Sequence, residues 1–380
     1  MIPPSQTSHF TQQSVSEQFF CAETPPKGDF RRNALDLLQR YQQICYDHQC
    51  GESTEVALKF HLSDIANQAK WLESQFAEAR RKKIIFVGQA PASGAHLGLE
   101  AYHLQNQSTA NFGYPMEFRD ADGIIHLHHY RLVQQQSPRI ALADPEAEMQ
   151  QAFQECERQL NIYGGNVKDN TLRTWIYVRD IDNNYASIVK ARNQIFEQWG
   201  MDKTTHTIAS TGIEGQSISP QRKVSMVARS ILGLVPEQIE YMSALDHMPP
   251  TRTYGVAFER GTRVIYGDRS HYYISGTASI DAQGQVMHLG DIRAQTQRSV
   301  ENVRALLENH QGTLADLKVL TIYLRDPADC ALAQAELDKC LPPSVPRLIV
   351  RGSVCRPEWL IELEGIAINS KGNRRFPDFA

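Results

Sequence analysis

The sequence predicts an α+β protein: one unit used twice, each copy a mixed β-sheet with two helices on one face, behind an N-terminal helical extension. Three observations predict it. A segment recurs at a fixed offset, helical and strand periodicities alternate within each copy, and the stretch before the first copy shows helical spacing. Thr174-Trp175-Ile176-Tyr177-Val178-Arg179-Asp180 matches Leu320-Thr321-Ile322-Tyr323-Leu324-Arg325-Asp326. Carried upstream without a gap, the same offset pairs Gln151 with Gln297, Glu155 with Glu301 and Arg158 with Arg304. Self-similarity at one offset is the signature of a repeated supersecondary unit.

Taken in chain order, residues 1–30 are rich in Gln, Ser, Thr and Pro without periodicity and read as a mobile arm. Residues 31–80 read as a helical extension, with one apolar stripe of Leu35, Leu37, Leu38, Tyr41 and Ile44. A second stripe holds Leu62, Ile65, Ala69 and Leu72. The first unit is expected over 81–235. It opens with the short apolar strand Ile84–Val87, closed by Gly88. A helix carrying Met149, Ala152, Phe153 and Cys156 leads through Gly164-Gly165 into the repeated strand. The second unit is expected over 245–370. Val264-Ile265-Tyr266 and Tyr272-Tyr273-Ile274 flank the turn Gly267-Asp268 as a hairpin. A helix over 293–309, a strand over 319–324, a helix near Leu332–Leu341 and a strand Arg347–Val350 follow. The final strand, Trp359–Glu364, precedes a tail over 371–380. A sheet with helices on one face accommodates that order.

Composition limits the function. At 380 residues the chain exceeds one small core, and 41% hydrophobic with 22% charged residues excludes global disorder. No apolar run reaches the about 18 residues of a membrane span, and the mean hydropathy is −0.42. A formal net charge of −4 argues against a dedicated nucleic-acid binder. The first residues lack the basic start and apolar stretch of a secretory signal. Seven scattered cysteines then read as reduced thiols of a cytoplasmic protein.

The candidate chemistry lies near the C-terminal end. In the last strand, Trp359, Ile361 and Leu363 point one way, and Leu360, Glu362 and Glu364 the other. Strand glutamates usually face water. In a partly dry groove Glu362 would have a raised pKa and could donate or accept a proton. Arg347 opens an otherwise apolar strand. It is either a surface residue or a planar fork for a small carboxylate. Cys355 is more often a core filler; beside Arg356 it could instead be an acidified thiol.

Tyr254-Gly255-Val256-Ala257-Phe258, Ile274-Ser275-Gly276-Thr277-Ala278-Ser279, Gly290-Asp291-Ile292-Arg293-Ala294-Gln295-Thr296, Glu301-Asn302-Val303 and Leu360-Ile361-Glu362-Leu363-Glu364-Gly365 resemble, in order, segments of the YjgF/Rid superfamily, whose units are chorismate-mutase-like. The resemblance covers about residues 250–368 and is weaker over 84–232. It implies that Arg347 binds the substrate carboxylate and that Glu362 positions a water or handles protons. It places Tyr254, Ser275 and the following Gly276 and Thr277 in the cleft, and sets that cleft between subunits of a homotrimer. In the first copy, aligning Thr207–Ser210 with Leu348–Arg351 puts His206 against Arg347. No glutamate there matches Glu362, so one type of site is expected.

A degenerate first unit ahead of an intact second resembles the chorismatases, two-domain relatives that hydrolyse chorismate. Arg173–Tyr177 and Ser210–Gly215 are similar to segments of their first domain. Cys355 precedes Glu362 at the spacing of the chorismatases that form 3-hydroxybenzoate. The implied activity is removal of the enolpyruvyl group as pyruvate, with catalytic residues Glu362 and Cys355. The alternatives are a Rid-type imine or enamine deaminase and a non-catalytic small-carboxylate binder. Each requires Arg347 and Glu362 to converge on one hollow. His126 and His128 share a strand face, but two histidines without a third ligand do not make a metal site. Gly88–Gly94 is neither a P-loop nor a dinucleotide fingerprint. No cofactor and no metal are expected; the partner is a small carboxylate, with neither nucleic acid nor membrane.

Overall fold

The computed structural model describes residues 5–379 except 82, 106–115, 121, 131, 133–143 and 203. It contains three sheets, each the centre of one unit. Unit 1 runs β1 (Gln6–Gln12), β2 (Val15–Glu23), α1 (Phe30–Asp47), β3 (Glu55–Leu62), α2 (Ile65–Ser74), α3 (Glu78–Arg81), β4 (Ile84–Val87) and β5 (Leu97–Gln105). Unit 2 runs β6 (Met116–Arg119), β7 (Ile125–His129), α4 (Pro145–Asn161), α5 (Val167–Asn170), β8 (Thr171–Val178), α6 (Ile181–Gln198), β9 (Ala209–Glu214) and β10 (Val224–Leu232). Unit 3 runs β11 (Ile239–Tyr241), β12 (Gly261–Ile265), β13 (Ser270–Ala278), α7 (Ile292–Glu308), β14 (Leu317–Leu324), α8 (Cys330–Cys340), β15 (Arg347–Arg351) and β16 (Ile361–Asn369).

The spatial orders are β1-β2-β5-β3-β4, β6-β7-β10-β8-β9 and β11-β12-β13-β16-β14-β15. All three follow one path. A hairpin leads through a helix to a central strand, a second helix leads to a parallel edge strand, and a return strand slots between hairpin and centre. The first long helix of each unit starts behind an aspartate cap. The carboxylates of Asp29, Asp144 and Asp291 accept backbone N–H bonds from Arg32, Glu146 and Ala294; such caps satisfy donors that a helix start leaves orphaned.

The expected α+β class with tandem units holds; the segment ahead of the pair is not a helical extension alone but carries a sheet of its own, which makes three units. Residues 6–23 are a hairpin and not a mobile arm. Its outer strand β1 is a polar edge strand, which left no apolar signal, while β2 is buried almost throughout because helices cover one face and neighbouring units the other. The extension over 31–80 is interrupted by β3, where Val56, Leu58, Phe60 and Leu62 alternate into the core. Ile84–Val87 pairs with β3, so it completes unit 1 and does not open unit 2. The tail is docked: Phe379 is buried, 4.5 Å from the His271 ring and 5.0 Å from that of Tyr266.

The helix-free faces of the sheets turn toward one another. Bridges between single residues join each pair of units: Gly88 with Gln216, Pro91 with Val350, Ala209 with Glu259. Where the three meet lies a hollow of about 850 Å³, its mouth included, lined from all three units. Among the described residues no helix is long and apolar enough to cross a membrane.

Candidate active site

Between units 2 and 3 opens a cleft of about 560 Å³, mouth included. From unit 3 come Arg260, just before β12, Gly276 on β13, the β15–β16 loop with Cys355, Arg356 and Trp359, and Glu362 on β16. Unit 2 supplies Tyr185 and Arg192, two helical turns apart on one face of α6, with Ser210 and Gly212 on β9.

The strand pairing of β13 with β16 shifts between Ile274 and Thr277. Such bulges re-aim side chains beside active sites. Here Ser275 turns toward unit 2, where its Oγ accepts the Ser210 N–H at 2.9 Å and donates to the Glu259 carbonyl at 2.6 Å. The Gly276 N–H donates to Thr211 Oγ1 at 2.8 Å. A Cβ on Gly276 would lie 2.0 Å from Glu362 Oε1, so the glycine makes room for the carboxyl.

Glu362 is buried. Loss of water and the nearby charge of Glu364, outweighing Arg173 and Arg260, push its pKa from the ordinary 4.5 up to about 8. Glu364 is held by Arg173 at 2.7 Å and by the Tyr323 hydroxyl at 2.6 Å. Burial, then Glu362, drives the Cys355 thiol up to about 12, so it is a neutral thiol. Burial lowers the pKa of Arg192, whose Nε and Nη2 have no hydrogen-bond partner among the described residues. Arg192 and Arg260 flank the Phe258 ring at 5.9 and 5.4 Å, and Arg356 covers Trp359 at 4.8 Å. One neutral acid thus sits among three guanidinium groups, with no second carboxylate among the lining residues. That arrangement can bind an anion and hand it a proton.

Comparison with known proteins gives the family and the fold. The family described as "Endoribonuclease L-PSP" matches residues 262–369. The 3-aminoacrylate deaminase RutC of Acinetobacter baylyi is 33% identical over 96 residues, which are 25% of this chain and 76% of that protein.

The chain belongs to the YjgF/Rid superfamily.

A crystal structure of a chorismatase superposes with a TM-score of 0.63 at 19% identity, covering 95% of this chain and 99% of the other, which extends the likeness in fold to the whole molecule. The cleft that holds Glu362 is lined by two units of one chain.

Several expected site residues are placed elsewhere. Arg347 and Glu362 do not converge. In register, Arg347 faces Leu320 and thus the helix side of the sheet, where it pairs with Asp338 of α8; Glu362 shares the opposite side with Tyr323. Register also corrects the alignment of the first copy. Thr174 pairs with Ser210 as Leu320 pairs with Arg347, so the counterpart of Arg347 is Ser210 and not His206. Ser275 and Thr277 are buried, and the Thr277 hydroxyl donates to the Ser275 carbonyl, so both hold backbone. Cys355 lies in the cleft, but its thiol is pushed up where an acidified thiol was expected. Tyr254 ends a 3-10 turn over Thr251–Tyr254, and its side chain lies outside the described residues. Sequence reasoning missed Tyr185, Arg192 and Arg260. Arg192 did leave a signal: an arginine among Ile188, Ala191 and Ile195 on the buried stripe of α6.

Proposed function

We propose that the chain is a chorismatase-like hydrolase that removes the enolpyruvyl group of chorismate, or of a similar small dicarboxylate, as pyruvate. The observation that carries this is Glu362, a carboxyl that keeps its proton to about pH 8 in a cleft whose other charged groups are arginines. Arg192 and Arg260 bind the substrate carboxylates in place of Arg347. Glu362 then gives its proton to the methylene carbon of the enolpyruvyl double bond. The resulting oxocarbenium centre is stabilised by the glutamate's new negative charge. Water adds to that carbon and returns a proton to Glu362, and the hemiketal collapses to pyruvate and the ring alcohol. With loss of water the ring product becomes a hydroxybenzoate. The Cys355 thiol, neutral and beside the acid, borders the space where the ring lies.

The kinship with RutC favours a second reading, in which Glu362 orients a water on the imine carbon of a small amino-acid imine. The third reading is a binder without turnover. In each, the partner is a small molecule, the protein is cytoplasmic, and no further subunit is needed to complete the cleft. Purified protein incubated with chorismate should release pyruvate stoichiometrically. Ammonia from enzymatically generated 2-aminoacrylate, with no pyruvate from chorismate, would replace the first reading by the second. Chorismate binding without either product, lost in Arg192→Ala, would support the third.

A further inference from the structure

The proposed reaction places no substrate in the hollow at the junction of the three units, which shares only the charge of Glu364 with the Glu362 cleft. Its lining carries three carboxylates, and each already has a cation. Glu100 pairs with Lys59 at 2.6 Å, Glu364 with Arg173 at 2.7 Å, and Glu17 with Arg269 at 2.9 Å. Burial alone would raise Glu17 and Glu100; their partners, His271 with Arg269 and Lys59 with His61, overcome this and hold both at about 2. Arg229 of β10 remains. It is 3% exposed, lines the hollow and makes no ion pair with a carboxylate among the described residues. Its Nε and Nη2 have no hydrogen-bond partner there. Its surroundings are rings, with Tyr273 at 5.7 Å, Tyr102 at 5.9 Å and Phe118 at 6.0 Å. Aromatic faces attract a guanidinium, but they leave its Nε and Nη2 donors unsatisfied. A buried N–H donor without an acceptor is costly. The remaining walls include Phe19, Trp175, Val227, Ile366 and Ile368.

We propose that this hollow is a second ligand site, distinct from the Glu362 cleft, that takes a small apolar monocarboxylate of benzoate size. The Arg229 N–H donors that lack a partner select a carboxylate. The carboxylate accepts N–H bonds from Arg229, and the apolar body fills the space between Trp175, Val227 and Ile366. The site draws on all three units, so its occupancy ties them together.

The probe is benzoate, titrated calorimetrically into the full-length protein, with benzyl alcohol as its uncharged counterpart. Benzoate should bind at the hollow in wild type and in Glu362→Gln alike, and benzyl alcohol at least tenfold more weakly. Arg229→Gln and, separately, Val227→Phe, which narrows the hollow without touching the charge, should each weaken binding at least tenfold. Crystals of the unmodified protein soaked in 4-bromobenzoate test the site even if a variant fails to fold: an anomalous bromine peak is expected in the hollow, with the carboxylate against Arg229. A bromine signal confined to the Glu362 cleft, or no signal, overturns the proposal. So does benzyl alcohol binding as tightly as benzoate, or benzoate affinity unchanged in both folded variants. Because Glu362→Gln leaves the hollow intact, failure here and failure of the hydrolase reading are separately visible.

Discussion

The same junction is built more than once in this molecule, and two of its versions have met opposite fates. At the junction of units 2 and 3, Glu362 stands two residues before Glu364, which lines the central hollow, and Gly276 leaves space for its carboxyl. In unit 1 the position two residues before the hollow-lining Glu100 is Gly98, and a Cβ there would sit 2.9 Å from the Leu348 side chain of unit 3. One junction is an open cleft with an acid; the other is closed by an aliphatic side chain pressed on a glycine. Unit 2 has Ser225 at the matching position. Identical topology therefore does not carry chemistry. The acid and the space for it do.

The largest effect expected from breaking this contrast is on turnover. Glu362→Gln keeps the shape and removes the transferable proton; loss of a general acid costs typically about 10²–10⁴-fold. Pyruvate release from chorismate should fall within that range, and a residual rate within fivefold of wild type would remove Glu362 from the mechanism. Gly276→Ala places a methyl 2.0 Å from Glu362 Oε1, against the acid itself. Turnover should fall about tenfold or more with the fold retained by circular dichroism, because the flexible carboxyl end yields first.

The pH dependence has a definite sign. The proposed hydrolysis uses Glu362 in its protonated form, so turnover should hold at neutral pH and decline as pH rises through about 8. Its folded pKa lies above the unfolded one, so between about 4.5 and 8 the native state keeps a proton that the unfolded chain has released, and stability falls across that window as pH rises. Melting temperatures from pH 5 to 9 should decline more steeply in wild type than in Glu362→Gln; parallel curves would mean that the carboxyl is not shifted.

In the closed junction, Gly98→Ala should leave kcat unchanged and destabilise the protein by about 1–3 kcal/mol, the usual cost of overpacking, read from denaturant unfolding. The smallest effect is expected at Arg347. Its side chain lies on the outer side of the sheet, paired with Asp338 and away from the Glu362 cleft. Arg347→Ala should change kcat/KM less than twofold; a hundredfold loss would restore it as the substrate-binding arginine.

Unit 3 was legible because Asp291 caps its long helix α7, Gly267-Asp268 marks its hairpin, and Glu362 and Glu364 alternate with Ile361 and Leu363 in the last strand; β12 to β16 lie within a few residues of the expected positions. Unit 1 was not, because its hairpin is polar at the edge and buried on both faces within, so that β2 shows no two-residue alternation. The alternation of Glu362 and Glu364 correctly gave their common face. The pairing of Arg347 with Glu362 failed for a geometric reason. A fixed number of residues between two strands does not determine which side of the sheet each end occupies; only the hydrogen-bond register does. Arg192 and Arg260 arrive from another unit and another turn of the chain, and no spacing rule links them to the acid.

The bridges that hold Ala209 to Glu259 and Gly88 to Gln216 join parts of a single polypeptide. Assembly of the Glu362 cleft is thus an intramolecular event, governed by tether length and not by protein concentration. Specific activity should stay constant on dilution to levels at which a complex of separate chains would fall apart.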